Sequence, residues 1–227
     1  MYLNFIVLDL SLSHLVILLA YNNKIIYKNK VALKRDRAGI LFNSIQSLIS
    51  ELNLNLRDLD ILFSTIGPGN FNGIRVSLSF VKGFAITHNT KIAGLSSLEA
   101  ISRSFLNNNK KNIFSIIKAS PNFYYIEFFD QFNKSIVPSR LINIDEEITL
   151  PVSIDDIVLV GNDVEILAKN INFHGEMHSI DSPTAESLFY TAKGSIVNSN
   201  FIEPNPIYLR EVNAQKPSTW KKNPIVK

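Results

Sequence analysis

Three apolar runs open the chain at residues 3–10, 15–21 and 24–31, the last two parted only by Asn22-Asn23. Runs of this length bounded by turn residues read as strands, and they predict a three-stranded meander. The period then changes. Leu41, Ile45, Leu48 and Leu52 recur at helical spacing behind Asp36, which stands where a cap belongs, so a helix is predicted over 37–52. A buried strand is predicted at 60–66, a helix across 76–86, a short strand at 91–95 and a third helix capped by Ser96. Further on, 113–118, 124–130, 135–142 and 157–160 read as strands. A turn falls at Gly161-Asn162, and helices are predicted over 163–170 and from 184 to about 197. The most polar run, 107–112, marks the expected boundary between an N-terminal lobe, 1–106, and a C-terminal lobe, 107–227, that ends in a basic tail. Strands alternating with helices in this way argue for an α/β protein with mixed sheets and helices packed on them.

Two helices are greasier than a sheet-facing helix requires. The first adds Ile40, Phe42 and Ile49 to its core stripe. The second carries Phe71, Ile74, Leu78, Val81 and Ala85 on one face, and Val76, Phe80 and Phe84 at i, i+4, i+8 on another, with small Ser77 and Gly83 alongside. Such an excess is explained either by burial on two sides within the lobe or by a partner, since large exposed apolar patches mark interaction sites. The candidate partner surface is Leu41, Phe42, Ile45, Ile49, Val76, Phe80 and Phe84.

Between the strand at 60–66 and the second helix lies Gly67-Pro68-Gly69-Asn70-Phe71-Asn72-Gly73. Glycine reaches positive φ and permits close backbone approach, Pro68 stiffens the turn, and Asn70 or Asn72 can cap the helix. The corner serves either as a tight turn or as a cradle offering helix N–H groups to an anion. It is not a P-loop, because no Lys-Ser/Thr pair follows Gly73.

Composition narrows the chemistry. With 227 residues, 46% apolar and 19% charged, the chain is long enough for a real core and is not a disordered one. The absence of cysteine excludes disulfides, thiolate metal sites and thiol catalysis, and fits the reducing cytoplasm in which the chain is expected to work. A net charge of +3 makes no general nucleic-acid grip. The apolar run at 15–20 is far short of the roughly 20 residues a membrane span needs, so no membrane association is expected. His174 and His178 are four apart, as in zinc helices, but Gly175 disfavours helix and no Glu follows His174 directly, so no metal is expected there. After Gln215, Lys216, Lys221, Lys222 and Lys227 flank Trp220 without an acid, a pattern that suits a solvated tail or a weak RNA contact.

The nine residues from Gly67 through Ile74 and Arg75, followed by Lys82-Gly83, resemble the signature of the TsaB (YeaZ) family. Asp9-Leu10-Ser11, Ser96-Ser97-Leu98-Glu99-Ala100 and Pro206-Ile207-Tyr208-Leu209-Arg210 match further motifs of that family in order, so the resemblance spans essentially the whole chain. It implies a two-lobed actin-like, sugar-kinase-like and Hsp70-like (ASKHA) fold. It also implies a non-catalytic scaffold for TsaD in the complex, completed by the ATPase TsaE, that transfers threonylcarbamoyl to the N6 of the adenosine beside the tRNA anticodon. The apolar helix pair would then meet TsaD, or a second copy of the chain as a homodimer in isolation, and tRNA would be met only through the complex. No cofactor is required of this chain; ATP and a metal belong to the partners. The resemblance places Ser97 and Ile101 where the catalytic paralogue carries two metal-binding histidines, and neither residue suits a transition metal. Asp9, Ser11, Gly67, Gly69 and Gly73 would form at most a vestigial anion or nucleotide site, because Leu10, Asn70 and Asn72 stand where the family has hydroxyls. Lys118-Ala119-Ser120 also departs from the family's Asp-Ala-Arg. The rival readings are a small-molecule kinase or ATPase of the same fold, favoured by tight ATP binding, and a stand-alone homodimeric binding module.

Overall fold

The computed structural model describes residues 3–105 and 111–209. Strands β1 (Phe5–Asp9), β2 (His14–Tyr21) and β3 (Lys24–Ala32) form the expected antiparallel meander. Asn22 and Asn23 turn it, both at the positive φ that two-residue hairpin loops demand and that asparagine tolerates. Helix α1 (Arg37–Leu52) begins at Asp36, whose carboxylate accepts the Gly39 N–H at 2.8 Å. β4 (Ile61–Gly67) and β5 (Lys91–Ser96) then add in parallel beyond β1, joined by α2 (Phe71–His88), for a sheet order of β3-β2-β1-β4-β5. β1 and β4 are buried along their whole length, as inner strands of a sheet covered on both faces must be. A short helix, α3 (Ser97–Ser102), follows β5, with Ser96 as its cap.

The second sheet repeats this plan. β6 (Asn112–Ser120), β7 (Phe123–Phe129) and β8 (Ser135–Asn143) make an antiparallel meander, and β9 (Ile157–Gly161) and β10 (Glu176–Ser179) add in parallel, giving β10-β9-β6-β7-β8. The two sheets thus share one strand arrangement, although no repeat is visible in the sequence. α4 (Val164–Asn170) joins β9 to β10, and a single 3-10 turn at Ile154–Asp156 stands where the first lobe has α1. β10 has no counterpart among the predicted elements. It is four residues long and alternates half-buried and exposed positions, too brief a pattern to separate from a loop.

The division into 1–106 and 107–227 needs correction. The last helix, α5 (Ala185–Val197), capped by Thr184, returns to the first sheet. Ala185, Leu188, Phe189 and Ala192 pack there with Phe5, Val7, Leu18 and Phe63, and Phe189 stacks on Phe5 at 5.8 Å. The reason is coverage. α1 and α2 lie on the other face, with Ile6, Leu8, Ile17 and Leu62, so without α5 this face would be covered only where Ala100 of the short helix α3 meets it. Burying Leu188 and Phe189 contributes about 2 kcal/mol each. The chain then crosses β5, where Gly94 N donates to Ile202 O at 2.8 Å, and reaches β4 at Ile207. The first lobe is therefore built from both ends of the described chain.

α3 is the wall between the lobes. Ala100 belongs to the core of the first sheet, while Leu98 and Ile101 pack with Ile113, Ile117, Val158 and Val160 of the second. Ser115 Oγ donates to Leu98 O at 2.8 Å across this junction. The far face of the second sheet packs on α4 through Phe114, Ile126, Leu159 and Leu167.

Candidate functional site

At the glycine corner the backbone turns back on the β1–β2 loop. Asn70 is the cap of α2: its Oδ1 accepts the Gly73 N–H at 3.0 Å, and its own N–H donates to Ser11 O at 2.6 Å. Gly69, at φ +154, lies so close that a Cβ would come within 2.4 Å of Ser11 O; one on Gly73 would come within 2.0 Å of Leu10 O. These two glycines are required by contact with the chain's own loop.

Asp9 is fully buried beneath that loop. One carboxylate oxygen accepts from Ser11 N–H at 3.2 Å, Ser11 Oγ at 2.6 Å and Thr65 Oγ at 2.6 Å; the other is buried without a partner. Burial pushes its pKa above the ordinary carboxylate value, and the bonds from Ser11 and Thr65 only partly oppose this. A cleft of about 530 Å³ opens beside the loop. Ser11, Ser13, Gly69 and Asn70 line it from the first lobe and Lys118, Ala119 and Asn162 from the second, with Arg37 and Asp181 at its walls. Of the five predicted anion-site residues, Ser11 and Gly69 reach this cleft, while Asp9, Gly67 and Gly73 are not among its lining residues. Of the cations that line it, Arg37 carries no motif that could have revealed it, whereas Lys118 opens the Lys118-Ala119-Ser120 stretch that departs from the family's Asp-Ala-Arg. Lys118 pairs with Asp163 at 2.8 Å, which holds its ammonium above the usual lysine pKa.

The positions discussed for a metal fall in structural roles. Ser97 and Ile101 are fully buried in α3, Ile101 within the inter-lobe core. His178 sits on β10, bonded to Glu176 at 2.9 Å and against the Phe105 ring at 4.4 Å, so His174 and His178 do not share a helix face. Among the described residues no group of three or more His, Cys, Asp and Glu side chains is placed to hold a metal. No helix among them is long and apolar enough to cross a membrane.

The α1–α2 face is the other candidate, and the structure divides the residues predicted for it. Leu41 and Ile45 are core: they pack beneath α1 with Leu15, Leu48 and Leu62 and present nothing to a partner. The 3.6-residue period explains the error, because positions 41, 45 and 48 make the sheet-facing stripe and only 42 and 49 lie outside it. Phe42 is 62% exposed, and Ile49, Val76, Phe80 and Phe84 are half-buried. Phe42 meets Phe80 edge-on at 5.8 Å, Phe80 meets Phe84 at 6.1 Å, and Phe84 stacks on His88 at 4.1 Å. A groove of about 330 Å³ runs between the helices over Leu41, lined by Ala38, Phe42, Val76, Phe80 and Arg75. Ile86, 85% exposed on α2, lies on the opposite flank of the helix from Phe80 and Phe84. Arg75 is fixed at the rim, its guanidinium 3.7 Å over Phe71 and its Nε donating to Tyr208 Oη at 3.2 Å. The tail with Trp220 and its lysines lies outside the described residues.

Two sheets of one topology, walled by a shared helix and opening on a cleft, define a two-lobed α/β protein of the actin-like, sugar-kinase and Hsp70 (ASKHA) class. The family model for TsaD, tRNA N6-adenosine threonylcarbamoyltransferase, matches residues 32–178. The chain belongs to this family, and within it to the TsaB (YeaZ) group. It is 24% identical over 237 residues to the tRNA threonylcarbamoyladenosine biosynthesis protein TsaB of Haemophilus influenzae, covering 98% of each chain. It is 22% identical over 218 residues to the TsaB of Buchnera aphidicola from Baizongia pistaciae, covering 89% of this chain and 96% of that one. The match to TsaB of the Buchnera from Schizaphis graminum, 25% identical, spans only about half of either chain: 46% of this one and 49% of the other. The solved structure of YeaZ from Pseudomonas aeruginosa shares the fold with a TM-score of 0.77 at 18% identity, over 91% of this chain and 99% of that one.

Proposed function

We propose that this chain takes part in making threonylcarbamoyladenosine on tRNA as the scaffold partner of TsaD, contributing helix surface and no catalytic group. The observation that carries the reading is the exposed aromatic face of α1 and α2, where Phe42, Phe80 and Phe84 form a continuous ring-to-ring surface on a helix pair already anchored to its own sheet. A second helix pair laid on it would bury these rings as a domain core does. The names of the TsaB relatives supply the pathway. In this reading the chain acts in the cytoplasm, TsaE joins the pair, tRNA is met through the assembled complex, and ATP and metal are held by the partners.

Two observations weigh against the rival of a kinase or ATPase. Asp9, the one acid at the end of β1, is sealed under the loop, and the three hydrogen bonds to it come from the chain itself. The test is to mix the chain with TsaD of the same organism at micromolar concentration and follow mass by light scattering. A heterodimer is expected, and Phe80→Asp with Phe84→Asp is expected to weaken it at least a hundredfold, by burying two charges in an apolar contact. Unchanged assembly and unchanged tRNA modification by that variant would refute the reading. Tight ATP binding by the isolated chain would favour the rival.

A further inference from the structure

The cleft between the lobes is lined by hydrogen-bond donors that the fold itself does not use. Arg37 is the clearest. Its guanidinium meets no carboxylate or carbonyl among the described residues, and its Nε is buried without a partner. A buried donor left open is costly, and in native structures a ligand, ion or water is what completes it.

Two asparagines add donors from opposite lobes. Asn70 follows β4 and Asn162 follows β9, the same place in two sheets of one topology. Each corner is fitted to its own lobe: a Cβ on Gly69 would come within 2.4 Å of Ser11 O, and one on Gly161 within 1.9 Å of Ile116 O. Each asparagine also engages its carbonyl oxygen on a backbone N–H, Asn70 on Gly73 at 3.0 Å and Asn162 on Lys118 at 2.9 Å. The amide orientations are thereby fixed, and both NH2 groups remain as donors without a partner among the described residues. Lys118 has three ammonium protons and directs one to Asp163 at 2.8 Å.

The acceptors are fewer and already engaged. Asp181, the one acid lining the cleft, receives Lys30 at 2.8 Å and Ser182 Oγ at 3.2 Å, and lies 3.6 Å from His14. Ser11 and Ser13 direct their hydroxyl protons to Asp9 at 2.6 Å and to Asp181 O at 2.7 Å. A magnesium-bound ligand needs carboxylate oxygen from the protein, and no lining carboxylate is left to give it.

We propose that this cleft binds a phosphate-bearing anion directly, without a metal, held by Arg37 and Asn70 from the first lobe and by Lys118 and Asn162 from the second. Guanidinium, ammonium and amide N–H groups are the donors that phosphate oxygens take. A cleft of about 530 Å³ has room for pyrophosphate or for the phosphates of a nucleotide. One anion touching both sets ties the lobes together. This goes beyond the scaffold reading and does not depend on it.

The test is calorimetric titration of the full chain with inorganic phosphate, pyrophosphate and ADP in buffer containing EDTA, with melting curves read alongside. Saturating pyrophosphate is expected to raise the melting temperature by about 3 °C or more over sodium chloride of equal ionic strength. Arg37→Gln and Lys118→Met are each expected to weaken pyrophosphate binding at least tenfold, while Lys91→Gln, an exposed cation on β5 away from the cleft, leaves it unchanged. The melting temperatures of the variants without ligand show that they fold. ADP binding about tenfold tighter than pyrophosphate would assign the anion to a nucleotide, and equal affinities to free phosphate; both support the site. An equal shift in chloride, or one that survives both Arg37→Gln and Lys118→Met, is an unspecific anion effect and overturns the inference. Binding that appears only when magnesium is added overturns it in favour of the kinase or ATPase rival. Assembly with TsaD, read by mass, is a separate result that none of these outcomes changes.

Discussion

Gly73→Ala is expected to destabilise the protein by about 3 kcal/mol or more, the upper end of what a single overpacking substitution costs. The added methyl would stand 2.0 Å from Leu10 O and 3.1 Å from its carbonyl carbon. Real carbon and oxygen atoms do not approach so closely, so either α2 or the β1–β2 loop must move. Neither is free to do so. The loop is tied to α2 by the Asn70 N–H on Ser11 O and to β4 by the Thr65 hydroxyl on Asp9, and Leu10 is fully buried. α2 is held to the sheet by Ile74, Leu78 and Val81. For a chain of this length 3 kcal/mol lowers the melting temperature by roughly 6–12 °C. Gly83→Ala, ten residues along the same helix with nothing around it, is the control and is expected to lose no stability. Equal melting curves for wild type and Gly73→Ala would mean that the loop does not rest on the helix, and with it the account of the glycine corner would fall.

The corner also shows where sequence reading succeeds and where it stops. Local signals carried the fold. Asp36, Ser96 and Thr184 stand as caps in the structure, the Asn22-Asn23 turn is real, and the strand periods of the first lobe hold within a residue or two. What the chain does not announce is which distant element each face meets. The amphipathic pattern of α5 is the same whether it lies on the second sheet or returns to the first, and only the uncovered face of the first sheet decides it. Leu41 and Ile45 look like Phe42 in composition; the sheet beneath α1 makes them core and leaves Phe42 outside. The same holds for the candidate sites. Glycine spacing pointed to a corner, but whether those glycines cradle a ligand or admit the chain's own backbone depends on where residues sixty positions earlier pass. Arg37 and Lys118 share a cleft only because two lobes of one topology face each other across α3. Nothing in their local sequence contains that.

The second large effect lies in that junction and depends on pH. Glu127 is on β7, beside Ser115 in register across to β6, and its burial lifts its pKa from the ordinary 4.5 to about 7; the nearby Glu99 charge on α3 adds to the rise, and the Ser135 hydrogen bond opposes it. A carboxyl whose folded pKa is raised is better tolerated protonated. Its contribution to stability is fully present below its unfolded pKa and is lost as pH climbs through the folded value. The shift amounts to about 3 kcal/mol at ~1.4 kcal/mol per pKa unit, and about 2 kcal/mol after allowance for the partial exposure of the group. Wild-type stability is therefore expected to fall by about 2 kcal/mol more than that of Glu127→Gln between pH 4.5 and pH 8, most steeply between pH 5 and 7. Asp9 shifts in the same direction, which is why the difference between wild type and variant, rather than the wild-type curve, is the quantity to measure. The lowered carboxyls Glu176, Asp181 and Glu186 change their contribution below this window, so they do not mask it. Urea titrations of both proteins at pH 5, 6, 7 and 8 give the comparison directly. Parallel pH profiles would mean that Glu127 is as well solvated folded as unfolded, and that the wall formed by α3 does not close over β7 in solution.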